Sequence, residues 1–184
     1  MSRGITSALN TQFTSDALEP FFAVELDFDG GTVLVWTGYG NITIDSKTFV
    51  GSGDVLNVSG LTESADVQAN GITVTLSGLN ASLVASALTE AYQGRACKVY
   101  FGALSSGAVV ADPYLVFSGL MDIMTIDDSG DSSDITITAE SRLISLERAR
   151  DRRYTTEDQK IDYPDDRGLE FVADLQDKQI IWGA

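Results

Sequence analysis

The chain has 184 residues, 43% of them hydrophobic, with 27 acidic side chains against 12 basic ones and a formal net charge of −15. That length predicts one domain with room for an extension, and it buries roughly 70% of its unfolded surface without help from a metal or a disulfide. One cysteine, Cys97, excludes an internal disulfide framework, and the lack of histidine excludes Ser–His and Cys–His nucleophiles and most zinc sites.

In chain order, Ile5, Leu9 and Phe13 are spaced four apart, which predicts a short amphipathic helix that Pro20 brings to a stop. The period then changes to two. "FFAVELDF" (21–28), the turn "DGG" and "TVLVW" (32–36) read as a hairpin. "NITIDSKTFVGSG" reads as two short strands joined by a tight turn at Asp45–Ser46, and "DVLNVSGL" and "GITVTLSGL" follow as strands. "NASLVASALTEAYQG" (80–94) predicts a helix capped by Asn80, striped by Leu83, Val84, Ala87, Leu88 and Ala91, and closed by Gly94. "ACKVYFGAL", "YLVFSGLMDIMTI" and "DITITAES" resume the strands. Beyond Glu140, helical turns are expected through Leu143, Ile144 and Leu146, in "TTEDQ" and in "GLEFVADLQD". Roughly nine to eleven strands and two or three short helices predict a mainly β protein, a β-barrel or β-sandwich with an extended C-terminal arm. The expected division is an N-terminal helix or arm over 1–19, a β domain over 20–141 and a mixed-charge arm over 142–184.

Charge is unevenly spread. Residues 1–141 carry four basic and 17 acidic side chains, a net of −13, whereas residues 142–184 carry eight and ten, a net of −2. The first part repels a phosphate backbone, because nucleic-acid binding needs Lys and Arg to displace counterions. No apolar run approaches the roughly 20 residues of a membrane helix, and a soluble protein made in a cytoplasm is expected.

Catalytic and metal signatures are sparse. No glycine-rich phosphate loop or EF-hand spacing occurs. Cys97, in "RACKVYF", reads as a small buried hydrophobe. Asp127, Asp128, Asp131 and Asp134 cluster in one turn, but their spacing is not that of a calcium loop, and a solvated hairpin turn is expected. No metal, cofactor or catalytic residue is therefore assigned.

Six of the eight arginines fall between Arg142 and Arg167. Arg148, Arg150, Arg152 and Arg153 alternate with acids, which suits ion pairing with carboxylates better than nucleic acid, whose arms are nearly pure basic blocks. The choice is between a solvated surface and a subunit interface. Nearby aromatics favour the interface, with Arg148, Arg150, Arg152, Arg153, Tyr154, Asp165, Asp166 and Trp182 as its candidate residues.

The order of several short patterns resembles the baseplate-hub and distal-tail group of tail-tip proteins in long-tailed bacteriophages and phage-derived gene-transfer particles. These are Trp36–x–Gly38, then Phe49–x–Gly51–x–Gly53, then Glu63, Ala69, Gly71 and Leu76–Ser77–Gly78, then Val99–Tyr100, and finally Phe117–x–Gly119 with Asp122. The closing "RRYTTEDQ", "YPDD", "GLEFV" and "LQDKQIIWG" are similar to the end of many such proteins. The resemblance implies a β-barrel hub-type domain, over residues 20–141, that forms a non-enzymatic, threefold or sixfold ring in the virion at the end of the tail tube. It would join the tail tube to central hub or fibre proteins and let DNA pass through its lumen unbound. Some hub relatives extend into a cysteine-rich iron–sulfur region; with Cys97 alone, four-thiolate ligation is impossible here. The alternative is a carbohydrate- or receptor-binding β-sandwich of the virion, which would need aromatic platforms on exposed loops.

Overall fold

A computed structural model describes residues 4–53, 55–59, 70–77, 85, 88–128, 133–147, 151–175, 178–179 and 182–183. It divides into two compact units, Met1–Ser145 and Leu146–Ala184.

The first unit is built on ten strands: β1 (Glu19–Phe28), β2 (Gly31–Trp36), β3 (Tyr39–Ile44), β4 (Lys47–Ser52), β5 (Val55–Val58), β6 (Gly71–Ser77), β7 (Ala96–Ser105), β8 (Ala108–Val109), β9 (Tyr114–Asp128) and β10 (Ser133–Ser141). They form one sheet in the order β3-β4-β2-β1-β7-β9-β10-β6-β5, with β8 paired to β7. The protein is mainly β, and the sheet is sandwich-like rather than a closed barrel. All pairings are antiparallel except β2 with β4, which meet in parallel at Val35 and Val50.

β1 and β7 bury both faces, so the sheet encloses two cores. Val24, Leu26 and Phe28 point with Cys97 and Val99 into a core completed by β6, β9 and β10 through Ile72, Val74, Leu76, Phe117, Met121, Ile135 and Ile137. Phe21, Ala23 and Tyr100 point the other way, into a core with Trp36, Ile42, Ile44 and Phe49. Edge-to-face ring pairs, Phe21 with Trp36 and Phe49 with Tyr100, fix the second core. This is why "FFAVELDF" alternates only in part: a strand buried on both sides has no polar face.

Glycines in the second core make room for one indole. A Cβ on Gly38 or Gly51 would overlap the Trp36 ring, and the Trp36 Nε1 donates to the Gly40 carbonyl at 2.8 Å. A Cβ on Gly119 would likewise meet the Phe117 ring and the Glu140 carbonyl. Trp36–x–Gly38 and Phe117–x–Gly119 are thus rings lying on bare backbone, whereas Gly51 of Phe49–x–Gly51 makes room for the Trp36 indole rather than for Phe49. Asp45 and Ser46 both take positive φ, as a two-residue hairpin turn demands.

Three local expectations are corrected. The first helix, Ser7–Phe13, is capped by Thr6 and ends at Thr14, whose hydroxyl donates to the Thr11 carbonyl, so the stop comes well before Pro20. Pro20 instead lies in β1, ahead of its pairing with β2, where a missing N–H costs least. Ala85, Leu88 and Thr89 are helical, but Leu88 is 70% exposed and Ala91 is exposed too, so neither belongs to a buried stripe. Asn80, Leu83, Val84 and Ala87 lie outside the described residues. β8 was not foreseen.

The second unit holds two helices among its described residues, Thr156–Asp162 and Val172–Leu175. Another short helix, Ile144–Glu147, spans the division between the units.

Candidate functional site

In the first unit the most constructed polar site centres on Glu25. The register of β1 places it beside Lys98 of β7 and on the face that carries Phe21, Ala23 and Tyr100. Only 8% exposed, its carboxylate accepts from Lys47 Nζ at 2.7 Å, Lys98 Nζ at 3.4 Å and the Tyr100 hydroxyl at 3.2 Å. Burial alone would raise its pKa; hydrogen bonds and charge from Lys47 and Lys98 outweigh that and hold it below 4.5. Burial, and then the Glu25 charge, push the Tyr100 hydroxyl and the Cys97 thiol each up to about 12. Both remain protonated near neutrality, so neither is a nucleophile. Cys97 is fully buried, as its strand pattern predicts.

Arg95 makes the neighbouring pair. Its Nη1 lies 2.7 Å from Asp29 Oδ1, its Nε donates to the Asp27 carbonyl at 3.1 Å, and Glu90 accepts from the Gly30 N–H at 2.8 Å. These contacts pin the β1–β2 turn. Every described basic side chain of residues 4–141 (Lys47, Arg95 and Lys98) is thereby engaged by acids of β1 or its turn. Glu25 is nearly buried, whereas Asp27 and Asp29 are 41% and 71% exposed at the turn, and Arg142, the other described basic side chain of this unit, is exposed. Sequence reading missed this cluster; its only local trace is a carboxylate, Glu25, inside an apolar strand run.

The acidic turn places Asp127 directly opposite Asp134, and Asp128 opposite Ser133, at the β9–β10 tip. Asp131 lies outside the described residues. Among the described residues no group of acids or Cys is arranged to hold a metal ion.

In the second unit the expected interface residues separate. Arg148 and Arg150 lie outside the described residues. Arg152 pairs within its own segment, with Asp158 at 3.4 Å and with Asp162. Arg153 is exposed and has no ion-pair partner among the described residues. Asp166 builds the turn that follows the helix: it accepts from Gly168 N at 2.7 Å and from Gln159 Nε2 at 2.8 Å. Those bonds, the one from Gly168 first, lower its pKa. Asp165 is exposed, as are Tyr154 at 79% and Trp182 at 89%. Thr155 caps the helix Thr156–Asp162, and the Thr156 hydroxyl donates to the Leu169 carbonyl at 2.8 Å. These bonds tie the helix start to the segment 169–172. No described residue from 146 onward is buried. Leu146, Ile161, Tyr163, Phe171 and Leu175 are all more than half exposed. Among its described residues this unit presents its apolar side chains without burying any of them.

No protein-family model matches the sequence, and no curated protein matches it. A solved structure does, with a TM-score of 0.65, 14% identity, and coverage of 82% of this chain and 49% of the matched one. The matched chain belongs to the virion of a native gene transfer agent particle. The likeness establishes a shared fold, and this chain spans about half the length of that neighbour.

Proposed function

We propose that this protein is a non-enzymatic structural component of a phage-like virion. In this reading it forms a trimeric or hexameric ring at the tail tip, of the baseplate-hub or distal-tail kind, between the tail tube and the central hub or fibre proteins. The observation that carries the reading is the fold shared with a gene-transfer-agent virion chain over 82% of the sequence. Two physical features support it. Three of the four described basic side chains of the first unit are paired with its own acids, and residues 1–141 carry a net charge of −13, so a wall made from it would repel passing DNA rather than hold it. The second unit exposes aromatic and aliphatic side chains that a monomer leaves in water, which suits an arm that docks on a neighbouring subunit. Its arginines and aromatics, Arg153 and Tyr154 among them, supply the chemistry of an interface centre.

The test is to tag the protein, purify particles from a producing strain and label them with gold. Gold confined to one tail end supports the assignment. Label on the capsid, or protein absent from purified particles, refutes it.

A further inference from the structure

The second unit contains a cleft of about 350 Å3 lined by Tyr154, Thr155, Thr156, Glu157, Leu169, Glu170 and Val172, within the size range of small-ligand sites. Its two walls are the start of the helix Thr156–Asp162 and the segment 169–172, fastened to each other by the Thr156–Leu169 hydrogen bond. Tyr154, Leu169 and Val172 make the cleft partly apolar. Glu170 at the rim is already committed to Arg167, at 2.8 and 3.0 Å. Glu157 is exposed and has no ion-pair partner among the described residues.

The same unit carries the complement of this cleft. Lys178 is exposed and also makes no ion pair among the described residues. Four positions on, Trp182 is 89% exposed, the most exposed large hydrophobic side chain described. A cation followed by an indole matches a cleft whose Glu157 makes no ion pair among the described residues and whose floor is aromatic and aliphatic. Trp and Tyr are also the side chains most often found at the energetic centres of interfaces.

We propose that this cleft receives the Lys178–Trp182 segment of a second copy of the chain, with Trp182 against Tyr154, Leu169 and Val172, and Lys178 at Glu157. Each copy then carries one cleft and one inserting segment. The contact is heterologous, head to tail, and it closes as a ring when the rotation permits. The inference rests on the ring reading above and supplies its joint.

Full-length Trp182→Ala and Tyr154→Ala variants test it. Both residues are exposed, so each variant keeps the wild-type melting temperature. Sedimentation velocity should show each variant alone as a monomer, with self-association weakened at least about tenfold. Each lacks a different half of the joint, so an equimolar mixture should give one-to-one dimers and nothing larger. In parallel, a fluorescein-labelled peptide of residues 176–184 should bind full-length Trp182→Ala by anisotropy and fail to bind Tyr154→Ala. A mixture that stays monomeric, a Trp182→Ala protein that assembles like wild type, or a peptide that binds both variants equally overturns the proposal. None of these outcomes moves the gold label on the particle, so the joint and the tail-tip assignment fail separately.

Discussion

Replacing Glu25 by Gln removes one charge from the second core and keeps the side chain's size. The glutamine retains an oxygen for the Tyr100 hydroxyl, so the loss is the attraction to Lys47 and Lys98. Hydrogen bonds to charged groups contribute roughly 1.5–3 kcal/mol each. The lysine side chains are 43% and 32% exposed, and screening reduces each contact to about 1 kcal/mol. The substitution should therefore cost about 2 kcal/mol at pH 7, or roughly 4–8 °C in Tm for a chain of this size. Because the folded pKa lies below 4.5, the stabilisation is fully present above about pH 4.5 and is lost as pH falls through the depressed value. Urea unfolding of wild type and Glu25→Gln from pH 7 to pH 3 reads both effects. The gap should be widest at neutral pH and close in acid. In a double-mutant cycle with Glu25→Gln, Lys47→Met at 2.7 Å should couple more strongly than Lys98→Met at 3.4 Å. Equal midpoints at pH 7, or a gap that does not change with pH, would refute the reasoning.

The other expectations concern packing and titration. Gly51→Ala places a methyl group against the Trp36 indole and the Gly38 carbonyl and should cost roughly 1–3 kcal/mol in chemical denaturation; a neutral result would mean the ring is not seated there. Cys97 should ignore a thiol reagent at pH 8 until the protein unfolds. Its pKa is raised from 9.0 to about 12, so its contribution is intact below pH 9 and disappears as pH rises towards 12. Cys97→Ala should flatten that alkaline loss of stability, and an unchanged slope would contradict the assignment. Arg152→Ala removes ion pairs whose guanidinium is 41% exposed and should change global stability by no more than about 1 kcal/mol.

The strands were legible because most bury a single face. In β6, Ile72, Val74 and Leu76 alternate with Thr73 and Thr75, and no distant contact is needed to read it. β1 was legible as a strand but not as the shared wall of two cores, since that role depends on how the sheet folds over. Glu25 was illegible for the same reason: its partners lie 22, 73 and 75 residues away, Lys98 and Tyr100 meeting it when β1 pairs with β7 and Lys47 when β4 joins the sheet beside β2. Pro20 read as a helix stop because a proline carries that signal locally, and its tolerance in β1 depends on where β2 ends, at Trp36 opposite Ala23. In the arm, the charge pattern predicts carboxylate pairing; Arg152 finds its acids six and ten residues along its own chain, while Arg153 has no ion-pair partner among the described residues. Spacing alone does not distinguish such a pair from one across a subunit boundary. The exposed Trp182 and the cleft at Tyr154 needed coordinates to be seen together.

Electron cryomicroscopy of the intact particle tests the central claim most directly. The account predicts density for the ten-stranded sheet in a ring at the tail tip, its acidic surface towards the lumen and each 178–182 segment seated in the Tyr154 cleft of the next copy. A tail-tip ring built from another chain, with this protein elsewhere in the particle or missing from it, would contradict it.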